Sequence, residues 1–169
     1  MLRKLTVTIL ATLTMASLMT ISSTALADWG SRGTSEEYPP LTASNQSLID
    51  RFFCSGSYCD NVWIHTVKTY RNFGDNYWTP FFSEEGTNWQ VCAGSGFVTG
   101  IACNGSYCDS VSIQCTTVQA TSRGYCYWTP YFSEEAAYSS ALPAGYYAAG
   151  LQCQGAYCDN KRILACQAL

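Results

Sequence analysis

The chain contains one octapeptide pattern three times, and this repeat limits the folds that it can adopt. The copies are CSGSYCDN from Cys54, CNGSYCDS from Cys103 and CQGAYCDN from Cys153, so their first residues are 49 and 50 positions apart. A second motif has the same spacing, with YWTPFFSEE beginning at Tyr77 and YWTPYFSEE at Tyr127. Self-similarity at a fixed period of this length is typical of repeat architectures. The chain is therefore predicted to contain three copies of one structural unit.

The second motif also indicates where the units begin. A degenerate copy, WGSRGTSEE, starts at Trp29, and the units then span approximately residues 29–77, 78–127 and 128–169. Three units are too few for an open solenoid with capping repeats. We therefore expect a closed body with pseudo-threefold symmetry.

Residues 1–27 have the pattern of a secretory signal peptide. A basic head with Arg3 and Lys4 precedes an apolar stretch, and the sequence ALA at 25–27 has the small-x-small pattern of a cleavage site. The mature chain would then be residues 28–169, a length that suits one domain. We expect a secreted protein, extracellular or periplasmic, without a transmembrane segment in the mature chain.

The local pattern of the mature chain favours strands. The segment FVTGIAC at 97–103 is short and interrupted by glycine, and Val111, Ile113 and Cys115 alternate with polar residues. No stretch has the sustained three-to-four-residue periodicity of an amphipathic helix. We predict an all-β, disulfide-stapled, pseudo-threefold single domain that resembles a β-prism, with a β-trefoil as the alternative.

The cysteines are predicted to form disulfides. All ten lie in the predicted mature chain, and export together with an even count favours disulfides over free thiols. Zinc is the weaker interpretation, because zinc sites need clustered cysteine or histidine ligands and His65 is the only histidine. The two cysteines of each octapeptide can pair with each other in every unit. The four remaining cysteines then form two further pairs. The predicted pairs are Cys54–Cys59, Cys103–Cys108, Cys153–Cys158, Cys92–Cys115 and Cys126–Cys166. Spacing alone leaves this connectivity a hypothesis.

The charge of the chain argues against a nucleic-acid partner. Twelve acidic residues outnumber nine basic ones, and the formal net charge is −3. A protein that binds the phosphate backbone needs a basic face. Lys161-Arg162 is the only adjacent basic pair of the mature chain, so we expect no nucleic-acid binding.

An aspartate is the last residue that all three octapeptides share. Asp60, Asp109 and Asp159 each follow the second cysteine, where a carboxylate can accept hydrogen bonds from backbone N–H groups of a turn. The favoured interpretation is therefore a turn clamp. The alternative is a calcium or sugar ligand, and no cofactor is expected apart from this calcium alternative.

The paired glutamates resemble the two carboxylates of a glycosidase. Glu84-Glu85 and Glu134-Glu135 are adjacent, however, and adjacent residues of a strand point to opposite faces. A Ser/His/Asp triad would have to use His65, which lies in the strand-like run WIHTV. We therefore predict a protein without catalytic residues, and keep a secreted polysaccharide hydrolase as an alternative.

Aromatic residues are the candidates for ligand binding. Half of the repeated aromatic residues must fill the core of a small β domain, and the rest can form exposed platforms for sugar rings or a membrane surface. The selected candidates are Trp78, Trp128, Tyr107, Tyr157 and Asn160.

Two segments differ completely between units although their flanks agree. They are residues 67–76 and 116–125, and each connects an octapeptide hairpin to the next YWTP motif. Divergent loops on a constant scaffold often carry specificity. They keep open a protein-binding or inhibitory scaffold as a further alternative. The sequence does not indicate an oligomeric state.

The segment from Trp78 to Cys115 resembles a cysteine-rich β-prism module found at the C-terminal end of some perforin-like (membrane attack complex/perforin) proteins. The resemblance rests on Trp, Ser-Glu-Glu, Val-Thr-Gly-Ile-x-Cys and Gly-Ser-Tyr-Cys-Asp in this order. It extends over 128–160 with Leu142 in place of Cys92, and only over 35–37 and 54–61 in the first unit. It implies a stand-alone, lectin-like recognition module for surface glycans or lipid headgroups, acting through repeated weak sites, and no catalytic residue.

Overall fold

The computed structural model describes residues 27–29, 33–136, 138–139 and 141–169. The predicted signal peptide lies outside the described residues except for Ala27. The described part contains eleven strands and four short 3₁₀ turns, without an α-helix. The strands are β1 (Ala27–Trp29), β2 (Leu41–Thr42), β3 (Ser47–Ser55), β4 (Asn61–Lys68), β5 (Phe73–Trp78), β6 (Trp89–Val91), β7 (Phe97–Asn104), β8 (Ser110–Val118), β9 (Arg123–Trp128), β10 (Tyr146–Gln154) and β11 (Asn160–Ala168).

These strands form three sheets, each built around one octapeptide hairpin. The first sheet has the order β1-β4-β3, the second β2-β7-β8-β5 and the third β6-β10-β11-β9. All pairs are antiparallel. Each central hairpin has a register shift at the same place, between Ile49 and Arg51, Val98 and Gly100, or Ala148 and Gly150. The all-β prediction is confirmed.

Each sheet receives an edge segment from the preceding unit of the chain. The first unit supplies β2 to the second sheet, and the second unit supplies β6 to the third sheet. The third unit returns to the first sheet, where the Ser139 N–H donates to the Phe52 carbonyl at 3.0 Å and the Leu142 N–H to the Asp50 carbonyl at 3.2 Å. This exchange closes the three sheets into a ring.

One hydrophobic core joins the three sheets. Phe52, Ile101 and Leu151 precede the first octapeptide cysteine by two residues, and all three are fully buried in the same cluster. Buried residues alternate with less buried ones along β4 and along the first part of β11, as expected for sheets with one solvated face. The burial of equivalent positions at one centre gives the prism-like arrangement.

The five disulfides of the structure are the five pairs predicted from the spacing. Three staple the octapeptide turns. Cys92–Cys115 joins the residue after β6 in the third sheet to β8 in the second, and Cys126–Cys166 links directly opposed residues of β9 and β11. Disulfides at this density are typical of an oxidising compartment. Among the described residues no helix is long and apolar enough to span a membrane.

Gly155 tests how strictly the octapeptide turn requires glycine. Its φ is +83° and its ψ is 172°, a region that is essentially restricted to glycine. A Cβ would also contact the Asp159 carboxylate and lie 2.8 Å from Asn160 Nδ2. We expect Gly155→Ala to lower the free energy of unfolding by roughly 1–2 kcal/mol, measured by urea unfolding.

Gly86→Ala is the matched control. Gly86 has no positive φ, and a Cβ there would meet nothing within 4 Å. We expect a change below about 0.5 kcal/mol for this variant. Equal losses in both variants would contradict the special role of the turn glycine.

Candidate functional site

The three octapeptides fold into the same unusual turn. Its glycine has a φ between 75° and 83°, and the following tyrosine and cysteine both lie in the left-handed region, with φ between 55° and 60°. Two successive non-glycine residues in this region are strained. The second of them is the cysteine whose disulfide bond closes the turn and holds this conformation. The turns, residues 56–60, 105–109 and 155–159, meet at one end of the domain, here called the tip.

Three tyrosine rings pack against one another at the tip. The ring centroids of Tyr58, Tyr107 and Tyr157 are 5.0 to 5.4 Å apart in all three pairs, and the rings meet at tilted or edge-on angles. Each side chain remains about 40% exposed. Two members, Tyr107 and Tyr157, were selected from the sequence. Tyr58 was not selected, although its octapeptide carries the same signal.

The first glutamate of Ser-Glu-Glu caps the turn of the next unit. Glu36 Oε1 accepts a hydrogen bond from the Tyr107 N–H at 3.3 Å, and Glu84 Oε1 accepts one from the Tyr157 N–H at 2.9 Å. The turn Glu134–Ala136 packs on the first octapeptide turn. The expectation that these glutamates lie on strands is wrong, because Ser-Glu-Glu forms a tight turn in each unit.

This cap predicts different effects for two adjacent glutamates. Glu84→Ala removes the acceptor of the Tyr157 N–H, and we expect a loss of about 1 kcal/mol in unfolding free energy. Glu85→Ala changes an exposed side chain and should cost less than about 0.5 kcal/mol. Chemical denaturation of both variants measures the difference. Equal effects would contradict the capping role.

The octapeptide aspartates face the amide that follows them. Asn61 Nδ2 donates to Asp60 Oδ2 at 3.3 Å, and Asn160 Nδ2 donates to Asp159 Oδ1 at 2.7 Å. Asn160, a predicted ligand residue, is thus the first residue of β11 and contacts the turn through Asp159. Asp109 is followed by a serine. Among the described residues no group of three or more His, Cys, Asp or Glu side chains has the arrangement needed for a metal ion, and this includes the calcium candidates.

The carboxyl groups of Asp60 and Glu36 shift each other's pKa at the first turn. Burial, a hydrogen bond with Glu36 and the charges of Glu36 and Glu37 raise the pKa of Asp60 to about 6. Burial also acts on Glu36, but hydrogen bonds from its own backbone, Asp60 and the next turn hold the pKa of Glu36 below its usual value. Asp60 therefore carries the proton and donates it towards Glu36 in the acidic range.

A buried lysine lies beneath the third turn. Lys161 is fully buried, and its Nζ donates to the Cys158 carbonyl at 2.6 Å. Val62 and Val111 occupy the equivalent positions of the other units. Burial lowers the pKa of Lys161 to about 8, although nearby carboxylates of the tip, headed by Asp159, raise it. The first residue of the adjacent basic pair is therefore a buried residue of β11 and not part of a charged surface.

A groove with tryptophan on both sides crosses the outer face of the third sheet. Trp89 on β6 and Trp128 on β9 flank it, and Val91, Gln152 and Leu164 complete its lining, with a volume of about 250 Å³. Strand pairing sets this geometry: Gln152 is opposite Trp89, and Leu164 is opposite Trp128. Trp128 was predicted from the repeat. Trp89 was not, because the equivalent positions of the other units are not aromatic.

An arginine borders this groove, here called the tryptophan groove. The Arg162 guanidinium lies 5.2 Å from the Trp128 ring centroid and 4.7 Å from that of Tyr131. Its Nε donates to Gln152 Oε1 at 2.8 Å. Three contacts therefore hold the guanidinium in place on the outer face.

A second groove, of about 340 Å³, lies on the second sheet. Its lining consists of neutral hydroxyl, amide and backbone groups with one aromatic residue, Phe73. Gln114 Nε2 donates to Asn76 Oδ1 at 3.3 Å, and Thr99 Oγ1 donates to Gln114 Oε1 at 3.2 Å. Phe73 and Asn76 come from the divergent segment 67–76, so this segment contributes to a surface groove. Trp78 lies beside it, 38% exposed, with its ring over Gly100.

His65 is engaged in a structural contact. Its Nδ1 lies 2.5 Å from Asp50 Oδ1, and both side chains are largely covered. His65 lies in β4, as the strand-like run WIHTV indicated, but the sequence did not indicate Asp50 as its partner.

The fold and these surfaces define a disulfide-stapled, all-β domain with three strained hairpin turns at one end and grooves on its outer faces. Comparisons with family models, curated proteins and solved structures find no match. Its function is therefore inferred from the residues of the grooves.

Proposed function

We propose that the chain is an exported, non-catalytic recognition module that binds surface glycans through repeated weak sites. The tryptophan groove is the observation that carries this proposal. Trp89 is 49% exposed, and Trp128 faces it across the sheet with an apolar floor at Val91 and Leu164.

The chemistry of the groove suits a sugar ring. A pyranose has apolar faces, formed by its C–H groups, and polar edges, formed by its hydroxyls. Tryptophan rings can pack on the faces, while the Gln152 amide, in the groove lining, can hydrogen-bond at the edges. The groove is open along the sheet, which suits a chain of sugars better than an enclosed small molecule.

The second groove extends the same chemistry to a neighbouring sheet. Its hydroxyl and amide groups lie beside Phe73 and near Trp78. Sites on separate sheets of one rigid domain can engage separate sugars of a surface, so that weak individual affinities combine into avidity. The units have diverged, however, and the grooves need not prefer the same sugar.

The positions of the acidic residues support a non-catalytic role. Neither of these two grooves has a carboxylate in its lining. The repeated carboxylates lie at the tip, where Glu36 and Glu84 cap turns. Glycoside hydrolysis needs two carboxyl groups across the scissile bond, and neither groove supplies them.

A binding test follows from this arrangement. The oxidised domain is applied to an array of neutral and acidic glycans and, in parallel, to liposomes of zwitterionic and anionic lipids. We expect binding to a subset of glycans that weakens about tenfold in Trp128→Ala and in Trp89→Ala. Phe81→Ala, which removes an aromatic side chain that is 50% exposed and outside the groove, should bind as the parent does.

Two results would overturn the proposal. One is an array without binding, and the other is glycan binding that both tryptophan variants retain. Binding to liposomes without binding to glycans would favour the lipid-headgroup alternative. The localisation needs a separate measurement. Detection of the protein in the periplasmic fraction or in the culture medium would distinguish a periplasmic from an extracellular protein.

A further inference from the structure

We infer that Arg162 makes the tryptophan groove selective for sugars that carry a carboxylate, such as uronic or sialic acids. This inference rests on the proposed function and names the ligand class of the same groove.

The position of Arg162 on the sheet places it at the groove. Arg162 and Leu164 are two residues apart on β11, so their side chains leave the same face, and Leu164 forms part of the groove lining. Arg162 is directly opposite Gln152 on β10, and Gln152 also lines the groove. The guanidinium therefore borders the groove on its tip side.

The contacts of Arg162 leave the two terminal nitrogens of its guanidinium group available. Its Nε donates a hydrogen bond to Gln152, and the guanidinium group lies against the rings of Trp128 and Tyr131. Among the described residues no hydrogen bond or ion pair engages its two terminal nitrogens. Two parallel N–H groups of a held guanidinium match a carboxylate in a bidentate arrangement.

The other units lack this group. The positions equivalent to Arg162 are Trp63 and Ser112, so the first and second sheets carry no cation at this position. The remaining lining of the tryptophan groove is uncharged. A bound carboxylate would therefore meet one opposite charge and no like charge within the groove.

The experiment compares ligand pairs that differ in the carboxylate. Isothermal titration calorimetry measures trigalacturonic acid against its methyl ester, and 3′-sialyllactose against lactose. We expect at least one acidic ligand to bind about tenfold more tightly than its neutral partner, and the pair that does so distinguishes uronic from sialic acids. Arg162→Gln should remove this preference, and Arg162→Lys should restore only part of it because an ammonium lacks the planar fork.

Lys68→Gln is the charge-matched control. Lys68 lies at the end of β4 in the first sheet, near Tyr70, and its substitution changes the net charge by the same amount. We expect this variant to keep the preference for the acidic ligand. A preference lost equally in both variants would show a general charge effect and would overturn the inference.

The outcomes separate the inference from the proposed function. Equal affinity for acidic and neutral ligands, with binding lost in Trp128→Ala and retained in Arg162→Gln, would overturn the inference and leave glycan recognition in place. No binding of these ligands or of any arrayed glycan would overturn both. Circular dichroism and thiol titration confirm that each variant is folded and oxidised.

Discussion

Removal of the Cys126–Cys166 disulfide is expected to lower the free energy of unfolding by about 4 kcal/mol. The bond closes a stretch with a sequence separation of 40 residues, and it joins opposed residues of β9 and β11 in the third sheet. A cross-link over a longer loop removes more conformational freedom from the unfolded chain. Cys126→Ala combined with Cys166→Ala, studied by urea unfolding, tests this value.

The staple of the first octapeptide provides the matched comparison. Cys54 and Cys59 are separated by only 5 residues, and the same loop model gives about 2 kcal/mol for their removal. Both double variants lose the same atoms, so their difference of about 2 kcal/mol measures the effect of loop length. A larger loss for Cys54→Ala with Cys59→Ala would mean that the strained turn, rather than loop closure, determines the contribution.

Lys161→Met is expected to raise the free energy of unfolding at pH 7 by about 2 kcal/mol. Burial lowers the pKa of Lys161 from 10.5 to about 8, and a shift of this size corresponds to about 3 kcal/mol against the charged form in the folded state. Loss of the hydrogen bond to the Cys158 carbonyl offsets about 1 kcal/mol of the gain. Apolar residues of similar size often replace buried charges without loss of stability, and the other units already carry Val62 and Val111.

The stability difference between Lys161→Met and the parent protein is expected to depend on pH. Between pH 8 and 10.5 the unfolded chain keeps the lysine proton that the folded chain has released, so the parent protein gains stability as the pH rises through this window. The advantage of Lys161→Met should therefore shrink between pH 7 and pH 10. Lys68→Met, at a partly exposed position, is the control for the loss of one lysine, and an equal pH trend in both variants would contradict the role of burial. A less stable Lys161→Met variant at pH 7 would mean that pairing with the tip carboxylates outweighs desolvation.

Features confined to one octapeptide could be predicted from the sequence. C-x4-C can bring two cysteines together across one turn, so the hypothesis of a Cys54–Cys59 pair needed only the local spacing. The interpretation of the aspartates as acceptors of backbone N–H groups stays a prediction, since the contact of Asp159 is with the side-chain amide of Asn160. The strand expectation for Ser-Glu-Glu was wrong because the motif alone does not indicate that Glu84 must reach the turn of another unit.

The groove could not be predicted from repeats. Trp89 has no aromatic counterpart in the other units, and Arg162 stood in the sequence only as part of a basic pair. They lie on the same face because β6 of the second unit pairs with β10 of the third. Strand exchange between units depends on long-range pairing, for which a local pattern carries no signal.

The sequence by itself indicated the three units, the strand character and the three octapeptide turns, because strand alternation and short cysteine spacing act over a few residues, but it left the pairing of all ten cysteines a hypothesis. The tertiary structure alone decided which unit supplies each edge strand, where Lys161 is buried, and that Trp89, Trp128 and Arg162 share one face. Those outcomes depend on the closure of three sheets around one core, in which residues far apart in the chain must satisfy one another's packing and hydrogen bonds.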